Sequence, residues 1–375
     1  MLDKLIYNDK FDAIDTRMSD SNIGARRGKN IRDHLYVLYA VINSVVRDKY
    51  ECIDIQIYDI QKAFDALWLD DAFNDLFDSL DQHSRNDSIS LLYKTNLDNL
   101  VSVNTPAGLS DRVNMPEIIQ QGGIWGSILC SNAIYKIGRK CRDSGNFIYR
   151  YKNWAEILPL AFVDDLNAIA KCGSDSQNMN TLLNTEIEMK KLSFHTTTGS
   201  INSKYLQMHV GKPKAECPQL KVHGYDMQKV SNVTYLGDKV SADARNTKNI
   251  QDRVKKGISI VEQIMKIIHK MSFGTSTVEI ALLLRKSILI NGMLTNAEIW
   301  HNLTQAETDD LDKIDRLFFQ KLCRVPISTP KPAFYLEFGV LPLSVLIKAR
   351  RLIYLHNILR RPSKSMLYRV FTVKW

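Results

Sequence analysis

PLAFVDDLNAIAK, residues 159–171, is the stretch that decides the fold. Leu158, Leu160 and Phe162 precede an acidic pair, and Leu166, Ala168 and Ala170 follow it. Both runs alternate as strands do, so the segment predicts a tight β-hairpin with Asp164 and Asp165 at its turn. Taken alone, such a pair reads as a solvated acidic turn. The same geometry can also hold divalent metals against phosphate oxygens.

A second acidic position lies upstream. In CIDIQIYD, residues 52–59, Ile53, Ile55 and Ile57 alternate with Asp54, Gln56 and Tyr58. The pattern predicts a half-buried strand that ends at Asp59. Phe64, Leu67, Trp68, Phe73, Leu76 and Phe77 then recur at helical spacing. Asp59 therefore stands where a strand gives way to a helix. Strict alternation puts it on the isoleucine face, and a bulge or twist would be needed to aim it elsewhere.

Between the two lies IIQQGGIWGSILCSNAIYKIGRK, residues 118–140. Gln121, Gly122 and Gly123 precede a helical run through Ile128, Ile134 and Ile137, with Ser127 as a candidate cap. Glycines let backbone approach a ligand closely, but a Gly-Gly pair is also a common flexible loop.

In their order and spacing these segments resemble the reverse transcriptase domain of non-LTR (LINE-type) retrotransposons. DIQKAFD, residues 59–65, resembles the first catalytic block of that family. QGGIWGS, residues 121–127, resembles its template- and nucleotide-contacting block, and FVDD, residues 162–165, its aromatic-x-Asp-Asp box. NSK at 202–204 with HVG at 209–211 resembles the next block, and YLG at 235–237 the primer-grip hairpin. Upstream, NIGARRGKNIRDHLYVL, residues 22–38, resembles the block that often reads GFRxGRS. The likeness covers roughly residues 20–240.

The resemblance implies a catalytic set of Asp59, Asp164 and Asp165. It implies two Mg2+ ions, or Mn2+ in their place, held by those carboxylates and the Ile60 carbonyl. Asp59 and Asp164 would bridge the ions, with Asp165 beside them. In-line displacement at phosphorus needs such a pair to stabilise the attacking and leaving oxygens. Phe64 would oppose a 2′-hydroxyl, or is simply a core phenylalanine. Gln121 and Gly122 would lie against nucleotide and template. Lys204 would meet the leaving pyrophosphate, or is a solvated loop lysine. Arg26 and Arg27 complete the substrate set, and Tyr235, Leu236 and Gly237 the primer grip. Three residues depart from the family pattern: Gly123, Ile124 and Ser127 stand where relatives often carry Asp, Pro and Pro.

Composition fits a polyanionic partner. The formal charge is +9, which favours a polyanion such as nucleic acid. Basic residues gather at Arg26, Arg27, Lys29 and Arg32, at Lys212 and Lys214, at Arg253, Lys255 and Lys256, and at Lys348, Arg350 and Arg351. Each group alone also reads as a solvated face. The six cysteines show neither CxxC pairing nor zinc spacing, and read as reduced and mostly buried. No signal peptide and no membrane span are read. EIALLLRKSILING carries Arg285 and Lys286 in its middle. The expected location is intracellular, nucleus or cytoplasm, not secreted.

Past residue 245 helices dominate. Val254, Ile258, Val261, Ile264, Met265 and Ile268 form an apolar stripe. TQAE at 304–307 makes a capping box, and a last helical run begins around Pro342. These helices read as a thumb, or as a plain bundle. The expected fold is α+β: a right-hand polymerase palm over 35–245, partial fingers over 1–34 and a helical thumb-like region over 246–375. The expected function is RNA-directed DNA polymerase, as an N-terminally truncated retrotransposon fragment. Its partners would be RNA template, DNA primer and deoxynucleoside triphosphates, with no membrane. A catalytically silent nucleic-acid-binding remnant of the same fold is the alternative. A two-metal nuclease leaves the QGG block and Phe64 without a role.

Overall fold

The computed structural model describes residues 10–24, 26–48, 51–60, 63–80, 87–97, 100–114, 119, 125–144, 147–192, 205–212, 217–272, 274–326 and 328–374. Helix and sheet are mixed. Packing divides the chain into two compact units. The first takes Met1–His34, Ser44–Val230 and Lys364–Trp375, and the second takes Leu35–Asn43 and Ser231–Ser363.

In the first unit, β1 (Cys52–Asp59), β2 (Leu160–Phe162), β3 (Asp165–Lys171), β4 (Leu206–Gly211) and β5 (Gln228–Lys229) form a sheet in the order β5-β4-β1-β3-β2. β1 is its middle strand, antiparallel to β3 on one side and to β4 on the other. Every residue of β1 from Cys52 to Tyr58 is buried. The sequence predicted a half-buried strand, and the difference has a physical cause. The polar face of β1 is covered rather than solvated. Gln56 Nε2 donates to the Ser176 carbonyl at 2.8 Å and lies 3.0 Å from its hydroxyl. The Tyr58 hydroxyl sits 2.6 Å from Gln56 Oε1 and 2.8 Å from Asn180 Oδ1. Buried polar groups persist where they find such partners.

Helix α1 (Ile31–Arg47) starts at an Asn30 cap, whose oxygen accepts from the Arg32 N–H at 3.1 Å while Asp33 accepts from the Asn30 N–H at 3.2 Å. Helices α2 (Leu69–Ser79), α3 (Gly126–Ser144) and α4 (Ser174–Met189) build the core of the first unit. Phe73 and Leu76 of α2, Ile134 and Ile137 of α3, and Leu183 and Ile187 of α4 meet there with Tyr58, Leu166 and Ala168. The helix Met366–Lys374 also belongs here. The Met366 N–H donates to Asp20 at 3.0 Å, Arg369 lies 5.8 Å over the Trp154 ring, and Leu367 and Val370 are buried.

The second unit holds a hairpin, β6 (Asn232–Tyr235) and β7 (Asp238–Ser241), and the helices α5 (Thr247–Ile268), α6 (Thr275–Leu284), α7 (Gln305–Cys323) and α8 (Leu343–Leu359). The α7 start carries the expected box: the Glu307 N–H donates to Thr304 Oγ1 at 3.2 Å, and the Thr304 N–H to Glu307 Oε2 at 2.9 Å. α8 begins directly after Pro342. Of the expected apolar stripe of α5, Val261, Ile264, Met265 and Ile268 are buried, and only its first half is turned from the expected phase. Ile258 is exposed, whereas Arg253 and Gly257 are buried. Gly257 permits the turn, because a β-carbon there would meet Met293 Sδ at 2.8 Å and Ile314 Cγ2 at 2.9 Å. EIALLLRKSILING is not one regular helix. α6 passes into a π-helical stretch at Arg285–Ile290, where buried Arg285 makes a two-pronged ion pair with Asp315, 2.7 Å on each arm. No helix among the described residues is long and apolar enough to cross a membrane.

Candidate active site

The ladder between β1 and β3 runs unbroken to the end of both strands, where Asp59 stands directly opposite Asp165. No bulge re-aims Asp59, so it keeps the isoleucine face. Directly opposed residues of an antiparallel pair share a face, with β-carbons about 4.5–5.5 Å apart. Asp59 and Asp165 are therefore neighbours by register, and both are partly exposed.

On its other side Asp165 pairs with Phe162, which leaves Val163 and Asp164 as a two-residue hairpin loop. Such loops need positive φ at their first central position. Val163 supplies it at 58°, an outlying conformation for a β-branched residue that stores about 1–3 kcal/mol. Only Asp164 of the acidic pair is thus in the turn; Asp165 belongs to the strand. The Ile60 N–H donates to the Asp164 carbonyl at 3.3 Å, which ties the chain leaving β1 to the turn. Burial, and then the charge of Asp164, pushes the Cys130 thiol of α3 up to about 12. The helix after the QGG block therefore approaches the acidic turn.

The segment 19–24 docks along the same edge. Ala161 donates to the Ser21 carbonyl at 2.7 Å and accepts from the Ile23 N–H at 3.1 Å. The Asn22 amide donates to the Ser131 carbonyl at 2.5 Å. Gly24 then passes so close that a β-carbon on it would lie 2.8 Å from the Val163 nitrogen and 2.7 Å from Ser131 Oγ. Sequence reading did not single out Gly24. A lone glycine in a basic loop carries no signal that distinguishes close approach from flexibility.

Other expected residues divide. Phe64 lies in a short helix, Ala63–Ala66, partly buried against the core of the first unit. Arg26 is turned inward: its guanidinium pairs with Asp15 at 2.6 Å and donates to the carbonyls of Ser19, Asn22 and Asp15. It braces the loop that carries it. Arg27 is exposed, with its guanidinium 4.8 Å over the Phe11 ring. Tyr235, Leu236 and Gly237 form the β6–β7 turn in the second unit, with Leu236 at φ 46° and Gly237 at φ 81°. Gln121, Gly122 and Lys204 lie outside the described residues.

Asn167 is a residue that sequence reading passed over. It shares the Asp165 face of β3 by alternation. It is wholly buried, and neither atom of its amide has a hydrogen-bond partner among the described residues.

No known family profile matches the chain, and no curated protein sequence matches it. Among solved structures, the chain is similar to a telomerase from Candida albicans in complex with a TWJ fragment of telomeric RNA, at 12% identity and a TM-score of 0.38. That likeness covers 81% of this chain and 48% of the telomerase chain, so the present chain spans about half the length of the structure it matches.

Proposed function

We propose that the first unit is the palm of an RNA-directed DNA polymerase of the non-LTR retrotransposon kind. One observation carries the reading: Asp59 and Asp165 are paired across adjacent strands, with Asp164 in the turn that joins β2 to β3. Three carboxylates at one sheet end offer oxygen donors only, the donor set that magnesium takes. Asp59, Asp164, Asp165 and the Ile60 carbonyl would hold two Mg2+ ions, which would stabilise the attacking and leaving oxygens.

The chain's own residues would position the reactants around that set. Phe64 would stand beside the sugar. Gln121 and Gly122 would line the nucleotide and template, Lys204 the departing pyrophosphate, and Arg27 a phosphate of the template or triphosphate. The turn Tyr235–Gly237 would support the DNA primer. RNA template and deoxynucleoside triphosphates complete the set of partners.

Primer extension on an RNA template with Mg2+ tests this directly. Asp59→Asn and Asp164→Asn should each lower extension on the order of a thousandfold, because a lost metal ligand removes several kcal/mol at the transition state and about 1.36 kcal/mol is tenfold in rate. Primer–template affinity should stay nearly unchanged, and Asp165→Asn should cost less. Folded wild-type protein that binds primer–template yet extends nothing would assign the chain to silent nucleic-acid binding.

A further inference from the structure

At the other end of the central strands lies a second cluster of chemistry-bearing side chains. Asp54 of β1 is the register partner of His209 on β4 and of Ala170 on β3. Cys172 follows β3 directly, and Cys217 lies shortly past β4. The ligand atoms of Cys172, His209 and Cys217 all lie within 4.8 Å of one another. His209 Nδ1 is their common vertex: 3.3 Å from Cys172 Sγ, 3.4 Å from Cys217 Sγ and 3.3 Å from Asp54 Oδ1.

Hydrogen bonding does not account for this arrangement. A ring nitrogen carries one proton or one lone pair, so Nδ1 can satisfy one of its three polar neighbours. Asp54 adds an independent observation. Its side chain is 0% exposed, and its Oδ2 has no hydrogen-bond partner among the described residues. A buried carboxylate in that condition is costly unless it is paired or bound to a metal.

The spacing of the two thiols and the imidazole matches three corners of a tetrahedral ion. Bonds of about 2.3 Å to sulfur and about 2.0–2.1 Å to nitrogen or oxygen set edges of about 3.5 Å from nitrogen to sulfur and about 3.3 Å from nitrogen to oxygen. The two distances from His209 Nδ1 to sulfur fall close to the first of those edges; Asp54 lies 3.3 Å from the imidazole but outside the compact group that the two thiols and the ring form.

We propose that Cys172, His209 and Cys217 hold a structural zinc ion that fastens the end of β3 to β4, with the buried Asp54 carboxylate of β1 beside them. Thiolate and imidazole donors select zinc over magnesium. The Asp54 carboxylate, 0% exposed and 3.3 Å from His209, stands next to the fourth position and screens it from substrate, which marks a structural rather than a catalytic ion. On binding, the two thiols each release a proton to solvent and the sulfurs form coordinate bonds. The imidazole binds neutral through Nδ1 with its proton on Nε2, and nothing is oxidised or reduced. Five residues of strand separate Asp54 from Asp59, a rise of roughly 16 Å, so this ion is distinct from any held at the acidic turn. The proposal stands independently of the polymerase reading.

The sequence concealed the site by distance. Cys172, just past β3, and His209 on β4 are separated by α4, outside the short spacings by which zinc motifs are recognised. The expectation of no zinc spacing was correct for the linear chain and does not describe the folded one.

Elemental analysis of the reduced, purified full chain, dialysed after loading with zinc alone, tests the proposal. About one zinc per chain is expected. Co2+ in its place should give tetrahedral ligand-field bands and a sulfur-to-metal charge-transfer band. Cys172→Ser with Cys217→Ser should abolish both, Cys52→Ser should leave both intact, and Asp54→Asn should weaken binding at least about tenfold. Wild-type protein, shown folded by circular dichroism, that takes up neither metal would overturn the proposal. So would metal retained in the double variant, or a Cys172–Cys217 disulfide that persists in reducing buffer without metal.

Discussion

At Gly24 a single hydrogen atom in place of a methyl group decides whether the acidic turn can form as observed. The nearest atom on the turn is the backbone nitrogen of Val163, 2.8 Å from where a β-carbon would stand. Backbone cannot swing aside as a long side chain can. Gly24→Ala should therefore push residues 163–164 away from segment 19–24, costing about 1–3 kcal/mol. Extension should fall at least about tenfold, since small displacements at a reacting centre are expensive. Thermal melting and primer extension on the same preparation check both outcomes. The placements of Asp59 at a strand end and Asp164 in a turn were legible because acids there break an apolar alternation, whereas Asp165, expected in the turn, belongs to the strand. The fates of Arg26, Arg253, Arg350 and Arg351 were not. Their carriers look like exposed basic clusters, yet Arg26 meets Asp15, Arg253 meets Asp238, Arg350 donates to the Leu294 carbonyl and Arg351 to the Trp300 carbonyl. Partners on other elements decide burial, and linear sequence does not display them.

Among the elements, the β6–β7 hairpin is held from beneath its turn. Arg253 Nη2 donates to the Gly237 carbonyl and to Asp238 Oδ1, each at 2.7 Å. Asn296 donates to the Leu236 carbonyl at 3.2 Å, and the Trp300 indole to Asp238 Oδ2 at 2.9 Å. Burial pushes the Asp238 carboxyl above its ordinary value, against the pull of Arg253. Arg253→Leu leaves that carboxylate buried without its cation, so it should cost about 3–5 kcal/mol. The double variant Arg253→Leu with Asp238→Asn should recover part of this, because the stranded charge is gone. Urea unfolding followed by the fluorescence of the second unit's tryptophan, Trp300, measures both. The same element shows where periodicity reading stops. The capping box at Thr304 and the start at Pro342 are local chemistry, and both were legible. The second half of the α5 stripe was legible too, but the facing of its first half was not, because Arg253 and Gly257 are buried there while Ile258 is left outside.

Across the whole molecule, the basic clusters differ in how they face solvent. The four arginines above turn inward, whereas Lys255, Lys256 and Lys348 are exposed. Within these clusters the exposed lysines, rather than the inward arginines, should then carry the response of nucleic-acid binding to salt. Replacing Lys255 and Lys256 with Gln should lower the slope of log affinity against log salt by about 1–2 for duplex binding. An Arg26→Gln chain should lose stability with little change in slope. Titrations at several salt concentrations, paired with melting curves, separate the two effects.

The division into units also has a consequence in time. Residues 364–374 pack with the first unit, although the whole of 231–363 is made between them and Val230. Ribosomes add about 5–20 residues per second. For an interval on the order of ten seconds, the second unit is being synthesised while the first still lacks the Leu367 and Val370 contacts that will seal it. The part of the chain that begins first is therefore completed last.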